Sequence, residues 1–184
     1  MTKRSENSAE LASENLTNSE LSSTSSTKES LKSSEIILGT ELLSKQGYRQ
    51  RTKDWNDYIS HTMDVWYRWD SDTEASFAWY VEPMHLNAAK VLHGGAMTTF
   101  LDHCMGAFCY NLTEGKFAHT LQMSTQFLHP VRANRWLMCD VVHAAGSKQM
   151  IQLEADVRIV DLVRWPSLGV SAAKAHSTFL SPRR

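Results

Sequence analysis

A loop and the start of a predicted helix bring together polar groups that could act on a polarised carbonyl. Asn87, His93, Gly94, Gly95 and Asp102 lie within sixteen positions of one another. Two glycines at a helix N-terminus let a ligand approach the backbone, and free N–H groups there lie at the positive end of the helix dipole. Such a site suits an anion or a developing oxyanion. In the alternative interpretation, the two glycines only make a tight turn and the histidine caps the helix.

Asp102 is the carboxylate of this group. It lies within the predicted helix on a narrow polar line with Thr98 and Gly106. An unpaired buried charge is costly, so a carboxylate there either faces solvent or lies beside a cavity. His103 points about 100° away around the helix, and we therefore expect no Asp–His pair within it.

The elements that must position these residues follow from the apolar periodicity. Apolar residues spaced three and four apart predict one long amphipathic helix over 95–110. Alternating or β-branched runs predict strands at 61–69, 75–81, 120–128, 136–144, 150–160 and 170–179. The short connections favour antiparallel neighbours. The predicted fold class is therefore α+β, one long helix against an antiparallel sheet whose open edges favour dimerisation.

The chain also divides by composition. Residues 1–34 are rich in serine and contain no aromatic residue, glycine or proline, so we expect a disordered tail. Residues 35–60 are expected to form an N-terminal extension that includes a short helix. Residues 61–184 are expected to form the globular domain.

Composition and charge exclude several classes of protein. The 184 residues are 42% hydrophobic and 21% charged, which is typical of globular proteins. Nineteen basic and 20 acidic residues give a net charge of −1, without the basic excess that nucleic-acid binding requires. No apolar run approaches the length of a membrane span. The N-terminus has no apolar segment typical of a secretory signal, and its acidic residues are unlike a mitochondrial presequence, so we expect a cytoplasmic protein.

Motifs for metals and nucleotide cofactors are absent from the sequence. The three cysteines, Cys104, Cys109 and Cys139, have no zinc-site spacing, and we expect them to be small core residues in a reducing compartment. The histidines form no HExxH motif, and no GxGxxG, phosphate-binding loop or GxSxG is present. We therefore expect neither a metal nor a cofactor.

The pattern N-x5-H-G-G-x6-D-x3-G, from Asn87 to Gly106, resembles the signature of the hotdog-fold acyl-CoA thioesterases. The resemblance is closest to the phenylacetic-acid-pathway and mammalian thioesterase-superfamily-member branch. Thr120 lies ten residues before Pro130, which matches a Ser or Thr and a Pro of that family. The resemblance covers roughly residues 60–180.

The resemblance implies a hotdog fold and hydrolysis of an acyl-CoA to a free acid and CoA, within lipid metabolism and without a cofactor. It implies that the Gly94 N–H polarises the thioester carbonyl, and that Asn87 and His93 position this carbonyl or the attacking water. It also implies that Asp102 is the general base, or the nucleophile, and that Thr120 orients the water or the carboxylate.

Spacing along the helix adds a constraint on the assembly. The eight residues from Gly94 to Asp102 span roughly 12 Å of helix, whereas both groups must act within about 3–4 Å of the reacting atoms. We therefore expect a composite site, with Asn87, His93 and Gly94 from one subunit. Asp102 and Thr120 would come from the other subunit of a homodimer, and dimers could pair further into homotetramers.

The sequence also offers candidates for the residues that contact the substrate. Acyl-chain candidates are Met97, Leu101, Phe108 and Met123, with ordinary core packing as the alternative. Candidates for the CoA phosphates are Arg132, Arg135, Lys148, Arg158 and Lys174.

Two other functions remain open at this point. One is a non-catalytic acyl-CoA-binding protein, which would need an effector module that the sequence does not show. The other is a hotdog dehydratase or hydratase, which would be expected to carry a proline-containing histidine motif instead of His93-Gly94-Gly95.

Overall fold

The computed structural model describes residues 34–54, 56–147, 149–162 and 169–181. The predicted tail, apart from Ser34, lies outside these residues. The chain divides between Thr40 and Glu41 into two units, and residues 41–60 lie in the same compact unit as the sheet. Within the described ranges, no helix combines the length and the hydropathy that a membrane crossing needs.

The described residues form one antiparallel sheet with the strand order β1-β2-β3-β5-β6-β7-β4. The strands are β1 (Arg49–Gln50), β2 (Val65–Trp69), β3 (Glu74–Val81), β4 (His119–Phe127), β5 (Arg135–Gly146), β6 (Met150–Val160) and β7 (Val170–Leu180). The helices are α1 (34–45), α2 (Tyr58–Thr62) and α3 (Gly94–Leu112). A 3₁₀ turn spans Pro83–His85.

Helix α3 lies on one face of this sheet, and its apolar side forms the core. Its buried residues are Met97, Phe100, Leu101, Cys104, Met105, Phe108 and Cys109. They pack with sheet residues such as Trp79, Leu137 and Phe179. Removing a fully buried ring such as that of Phe100 would cost about 3–5 kcal/mol. The predicted helix 95–110 is therefore confirmed, and it extends slightly further at both ends.

The three cysteines are free and buried. This agrees with their expected role as small core residues.

The predicted strand at 61–69 is wrong over its first residues, because a short helix ends there. The Asp57 carboxylate accepts a hydrogen bond from the Ser60 N–H at 2.9 Å and caps α2. Strand β2 consequently begins only at Val65. The other predicted strands match the observed ones to within two residues at each end.

Strand β4 forms one edge of the sheet and pairs with β7 among the described strands. Most of its residues are exposed, including Leu121 (56%) and Phe127 (58%). An exposed strand edge with apolar side chains is suited to pairing with another strand. The open edge expected from the sequence is therefore present.

The opposite face of the sheet is partly covered by the chain that leads into it. Leu43 and Tyr48 are buried there, beside Met138 and Leu162. The Arg68 guanidinium lies 4.6 Å from the centre of the Tyr48 ring, a cation–π contact. The sequence does not predict this second, smaller apolar layer.

Candidate active site

Asn87 closes the turn that precedes α3. Its Oδ1 accepts a hydrogen bond from the Ala89 N–H at 2.9 Å, and its N–H donates to the Val91 carbonyl at 2.8 Å. The turn contains Lys90 at a φ of 60°, in the left-handed region. Among the described residues, the Asn87 side-chain NH₂ group has no hydrogen-bond acceptor, so it can donate to a ligand.

His85 anchors this loop to the core, a role that the sequence analysis missed. Its Nδ1 accepts from the Glu82 N–H at 2.9 Å, and its Nε2 donates to the Thr62 carbonyl at 2.7 Å. Its ring packs against Trp79 with 4.7 Å between ring centres. The His85 carbonyl in turn accepts from the His93 N–H at 2.9 Å. A single buried histidine has no sequence signal that would distinguish it from an exposed one.

His93 is the N-cap of α3, and this separates the roles of the two glycines. Its Nδ1 accepts a hydrogen bond from the Gly95 N–H at 2.9 Å. A Cβ at Gly95 would lie 3.0 Å from that nitrogen, so a larger residue here would require the His93 ring to shift by a few tenths of an ångström. The Gly94 N–H has no acceptor among the described residues and is an available donor at the positive end of the helix. The capping interpretation of His93 is therefore correct, and it leaves Gly94 open to a ligand.

The two ring nitrogens of His93 differ as a result. Because Nδ1 accepts a hydrogen bond, the neutral ring carries its proton on Nε2. His93 is exposed, so its Nε2–H is available as a second donor.

Asp102 and Thr120 form a second group of the site. The Thr120 hydroxyl donates to Asp102 Oδ1 at 2.8 Å, which joins α3 to β4. Asp102 is half-buried and Thr120 is exposed, next to an irregularity between Thr120 and Gln122 in the pairing with β7. The carboxylate is thus held by a neighbouring strand and remains accessible.

One chain does not bring these two groups together. Gly94 lies beside the C-terminal end of β4, where a Cβ added to Gly94 would be 3.5 Å from Phe127 Cζ. Asp102 contacts the N-terminal end of β4 through its hydrogen bond with Thr120. The two ends are roughly 20 Å apart at strand spacing. The sequence-predicted residues therefore form two clusters, one of Asn87, His93 and Gly94, and one of Asp102 and Thr120.

A cleft of about 330 Å³ opens at Gly94 between the start of α3 and the end of β4. Met97, one of the predicted acyl contacts, lies in its lining. Leu101 and Phe108 are completely buried in the core, so the core-packing alternative holds for them. Met123 is half-buried and packs against the same core.

The candidate CoA-phosphate residues differ in their surroundings. Arg158 pairs with Asp140, and Lys174 Nζ lies 3.9 Å from Asp156 Oδ2. Arg132 and Arg135 are exposed, whereas Lys148 lies outside the described residues. Within the described ranges, no three His, Cys, Asp or Glu side chains are grouped so that they could hold a metal ion.

His103 faces a different polar network. Burial lowers the pKa of His103 from 6.5 to about 4, and the nearby Arg51 guanidinium acts in the same direction while Asp57 opposes it. Arg51 itself donates to Ser60 Oγ at 2.7 Å and pairs with Asp57. No hydrogen bond joins His103 to Asp102 in the part of the chain that the structure describes, as the helical spacing predicts.

Comparison with known proteins finds a family model that matches part of the chain. Residues 89–163 match the family model of the Thioesterase superfamily. This segment contains Gly94, Asp102 and Thr120, while Asn87 lies just before it. No curated protein matches the chain in sequence at a significant level.

Solved structures share the fold at low sequence identity. The E. coli PaaI protein, from the phenylacetic acid degradation operon, is 16% identical with a TM-score of 0.60, and the match covers 70% of this chain and 87% of that one. A hypothetical thioesterase from Streptococcus pneumoniae, solved with coenzyme A, is 21% identical with a TM-score of 0.54, over 64% of this chain and 90% of that one. Thioesterase superfamily member2 from Mus musculus is 15% identical with a TM-score of 0.55, over 64% and 82%.

The family match and the shared architecture confirm the resemblance that the motif predicts. Residues 89–163 are similar to the Thioesterase superfamily, and the described residues share the hotdog fold of the solved structures.

Proposed function

We propose that the chain hydrolyses acyl-CoA thioesters to a free acid and CoA, at a site shared by two copies. The match to the Thioesterase superfamily supports a thioesterase activity in general. The coenzyme A bound to the similar S. pneumoniae protein supports a CoA thioester as substrate. The observation that carries the shared site is the position of the two polar clusters at opposite ends of β4.

Pairing of β4 with the same strand of a second copy would bring the clusters together. Met123 is the midpoint of β4 (His119–Phe127). A two-fold axis beside Met123 would set two antiparallel β4 strands edge to edge, with Phe127 opposite the partner's His119. The partner's Asp102 and Thr120 would then face the Gly94 N–H of the first chain. Each dimer would contain two such sites.

In this site the carbonyl oxygen of the thioester would accept hydrogen bonds from the Gly94 N–H and from His93 Nε2. The Asn87 NH₂ group would hold the same oxygen or the attacking water. One such donor typically contributes about 3–4 kcal/mol of transition-state stabilisation. A thioester carbonyl is already electrophilic, so these donors and a base are sufficient for attack by water.

Asp102 of the partner would act as the base. Its carboxylate would remove a proton as the water oxygen bonds to the carbonyl carbon, and Thr120 would hold its Oδ1 in place. Collapse of the tetrahedral intermediate would break the C–S bond, and the departing CoA sulfur would take up that proton. The proposed reaction uses no metal and no cofactor, since CoA enters as part of the substrate.

We also propose a cytoplasmic location. All three cysteines are free and buried, which fits a reducing compartment.

The direct test is thiol release from acyl-CoAs by an Asp102→Asn variant. We expect turnover to fall at least 100-fold, since a positioned base contributes about 10²–10⁴-fold, while the melting temperature changes little. The exposed Asp72, in the turn between β2 and β3, provides the matched control Asp72→Asn, which should retain full activity.

Residual activity of Asp102→Asn within about threefold of the wild type would show that Asp102 is not the base. If the wild-type protein binds acyl-CoA tightly and releases no thiol, it is an acyl-CoA-binding protein instead.

A further inference from the structure

One part of the lining of the cleft at Gly94 is a buried apolar wall. Met97, Leu92 and Val131 line it and are each less than 10% exposed. The Leu92 N–H donates to the Val131 carbonyl at 2.7 Å, which ties the loop before α3 to the segment after β4. These residues belong to the core, and their positions cannot change without disturbing it.

Phe127 belongs to the exposed part of the lining, with Leu128, His129 and Pro130. It is the last residue of β4 and is 58% exposed. The edge of its ring rests on Gly94, since a Cβ there would be 3.5 Å from Cζ and 3.8 Å from Cε1. The ring therefore packs against the helix start within the cleft, and it is not part of the buried core cluster.

The chemistry of the lining fits an acyl group. Apart from Gly94 and His129, the lining side chains are apolar: Val91, Leu92, Met97, Phe127, Leu128, Pro130, Val131 and Ala172. His129 Nδ1 already donates to the Ser171 carbonyl at 2.8 Å. The pantetheine arm of CoA carries amides, which would lose hydrogen bonds in such surroundings, whereas a hydrocarbon chain would gain from burial.

We propose that Phe127 determines which acyl groups the enzyme accepts, by limiting the space beside Gly94 to short- and medium-chain or single-ring acyl groups. The inference rests on the proposed function, because the carbonyl on the Gly94 N–H is what directs the acyl group into this cleft. The cleft volume of about 330 Å³ is near the lower end of small-molecule sites, about 300–1,000 Å³. A long acyl chain would have to displace the ring.

The test compares kcat/KM for acetyl-, hexanoyl-, phenylacetyl-, dodecanoyl- and palmitoyl-CoA in the wild type, Phe127→Ala and Phe127→Leu. We expect the ratio of kcat/KM for dodecanoyl-CoA to kcat/KM for hexanoyl-CoA to rise at least tenfold in Phe127→Ala. Even one methylene in an apolar pocket changes specificity about 10-fold or more. Phe127→Leu should give an intermediate ratio. Ile37→Ala, at an equally exposed apolar residue of α1 that does not line the cleft, should leave the ratio unchanged.

A binding experiment separates this inference from the proposed function. Titration calorimetry with non-hydrolysable S-hexyl-CoA and S-dodecyl-CoA thioethers measures the same preference without turnover. If no variant releases thiol but Phe127→Ala still shifts the binding preference to S-dodecyl-CoA, the function fails and the role of Phe127 stands. If thiol is released but the ratio is the same in wild type, Phe127→Leu and Phe127→Ala, the role of Phe127 is wrong. Should Phe127→Ala not fold, by its melting curve, Phe127→Leu decides the matter alone.

Discussion

His93 divides two tasks between its ring nitrogens. Nδ1 caps α3 by accepting a hydrogen bond from the Gly95 N–H at 2.9 Å, and in the proposed site the remaining Nε2–H would donate to the thioester oxygen. The observed cap and the proposed substrate contact are therefore compatible at this residue. Protonation of Nδ1 would remove the cap acceptor and add a positive charge at the positive end of the helix.

His103, on the same helix, makes the stability of the fold depend on pH. The unfolded chain binds a proton at this side chain near its ordinary pKa of 6.5, but burial lowers the pKa in the folded chain to about 4. The unfolded state therefore binds more protons between these values, and the free energy of unfolding decreases as the pH falls through this range. Between pH 7 and pH 5, His103 lowers the free energy of unfolding by about 2 kcal/mol.

We expect His103→Asn to remove this part of the pH dependence. Urea unfolding at pH 7 and at pH 5 measures this difference in the free energy of unfolding. His61 is exposed and hydrogen-bonded to Asn56, so His61→Asn should retain the wild-type slope. An unchanged slope in His103→Asn would contradict the assignment.

At the scale of elements, β4 has the central position in the account. Its N-terminal end holds Asp102 through Thr120, and its C-terminal end contacts Gly94 through Phe127. Its outer edge is open among the described strands. The proposed dimer uses this edge, and its register decides which residues face each other.

Substitutions that introduce charged side chains into β4 test the register of the proposed pairing between two β4 strands. With the axis at Met123, Gln122 lies opposite the partner's Ser124, and both residues are exposed. Like charges directly opposite destabilise paired strands, by about 0.2–1 kcal/mol for each pair. We expect Gln122→Glu with Ser124→Glu to weaken the dimer about tenfold in sedimentation equilibrium.

The charge-complementary variant, Gln122→Lys with Ser124→Glu, should retain the dimer. Equal dissociation constants for the two double variants would show that β4 does not pair in this register.

How far the sequence predicts these elements depends on the length of their patterns. α3 and the strands from β3 onwards repeat an apolar pattern over seven or more residues, so their existence and type follow from periodicity. The five-residue α2 depends on a single cap by Asp57, and the two-residue β1 exists only through its pairing with β2. The anchoring of the loop by His85 is tertiary, so no local pattern reports it. Likewise, the motif contains both glycines, but only the His93 contact distinguishes the capped Gly95 N–H from the open Gly94 N–H.

The proposed active site needs two chains. α3 carries both Gly94 and Asp102, and no single straight helix can place both at one reacting carbon. A two-fold dimer solves this with one interface, because each contact across it occurs twice. Activity should therefore depend on assembly as well as on the side chains.

Subunit mixing tests this central claim most directly. His93→Ala and Asp102→Asn homodimers should each be almost inactive, because every site lacks one group. After equimolar subunit exchange, half of the dimers should be heterodimers in which one of the two sites is intact. We therefore expect thiol release to recover to about a quarter of the wild-type rate. No recovery, in a mixture whose heterodimers are verified by native mass spectrometry, would contradict a site shared between subunits.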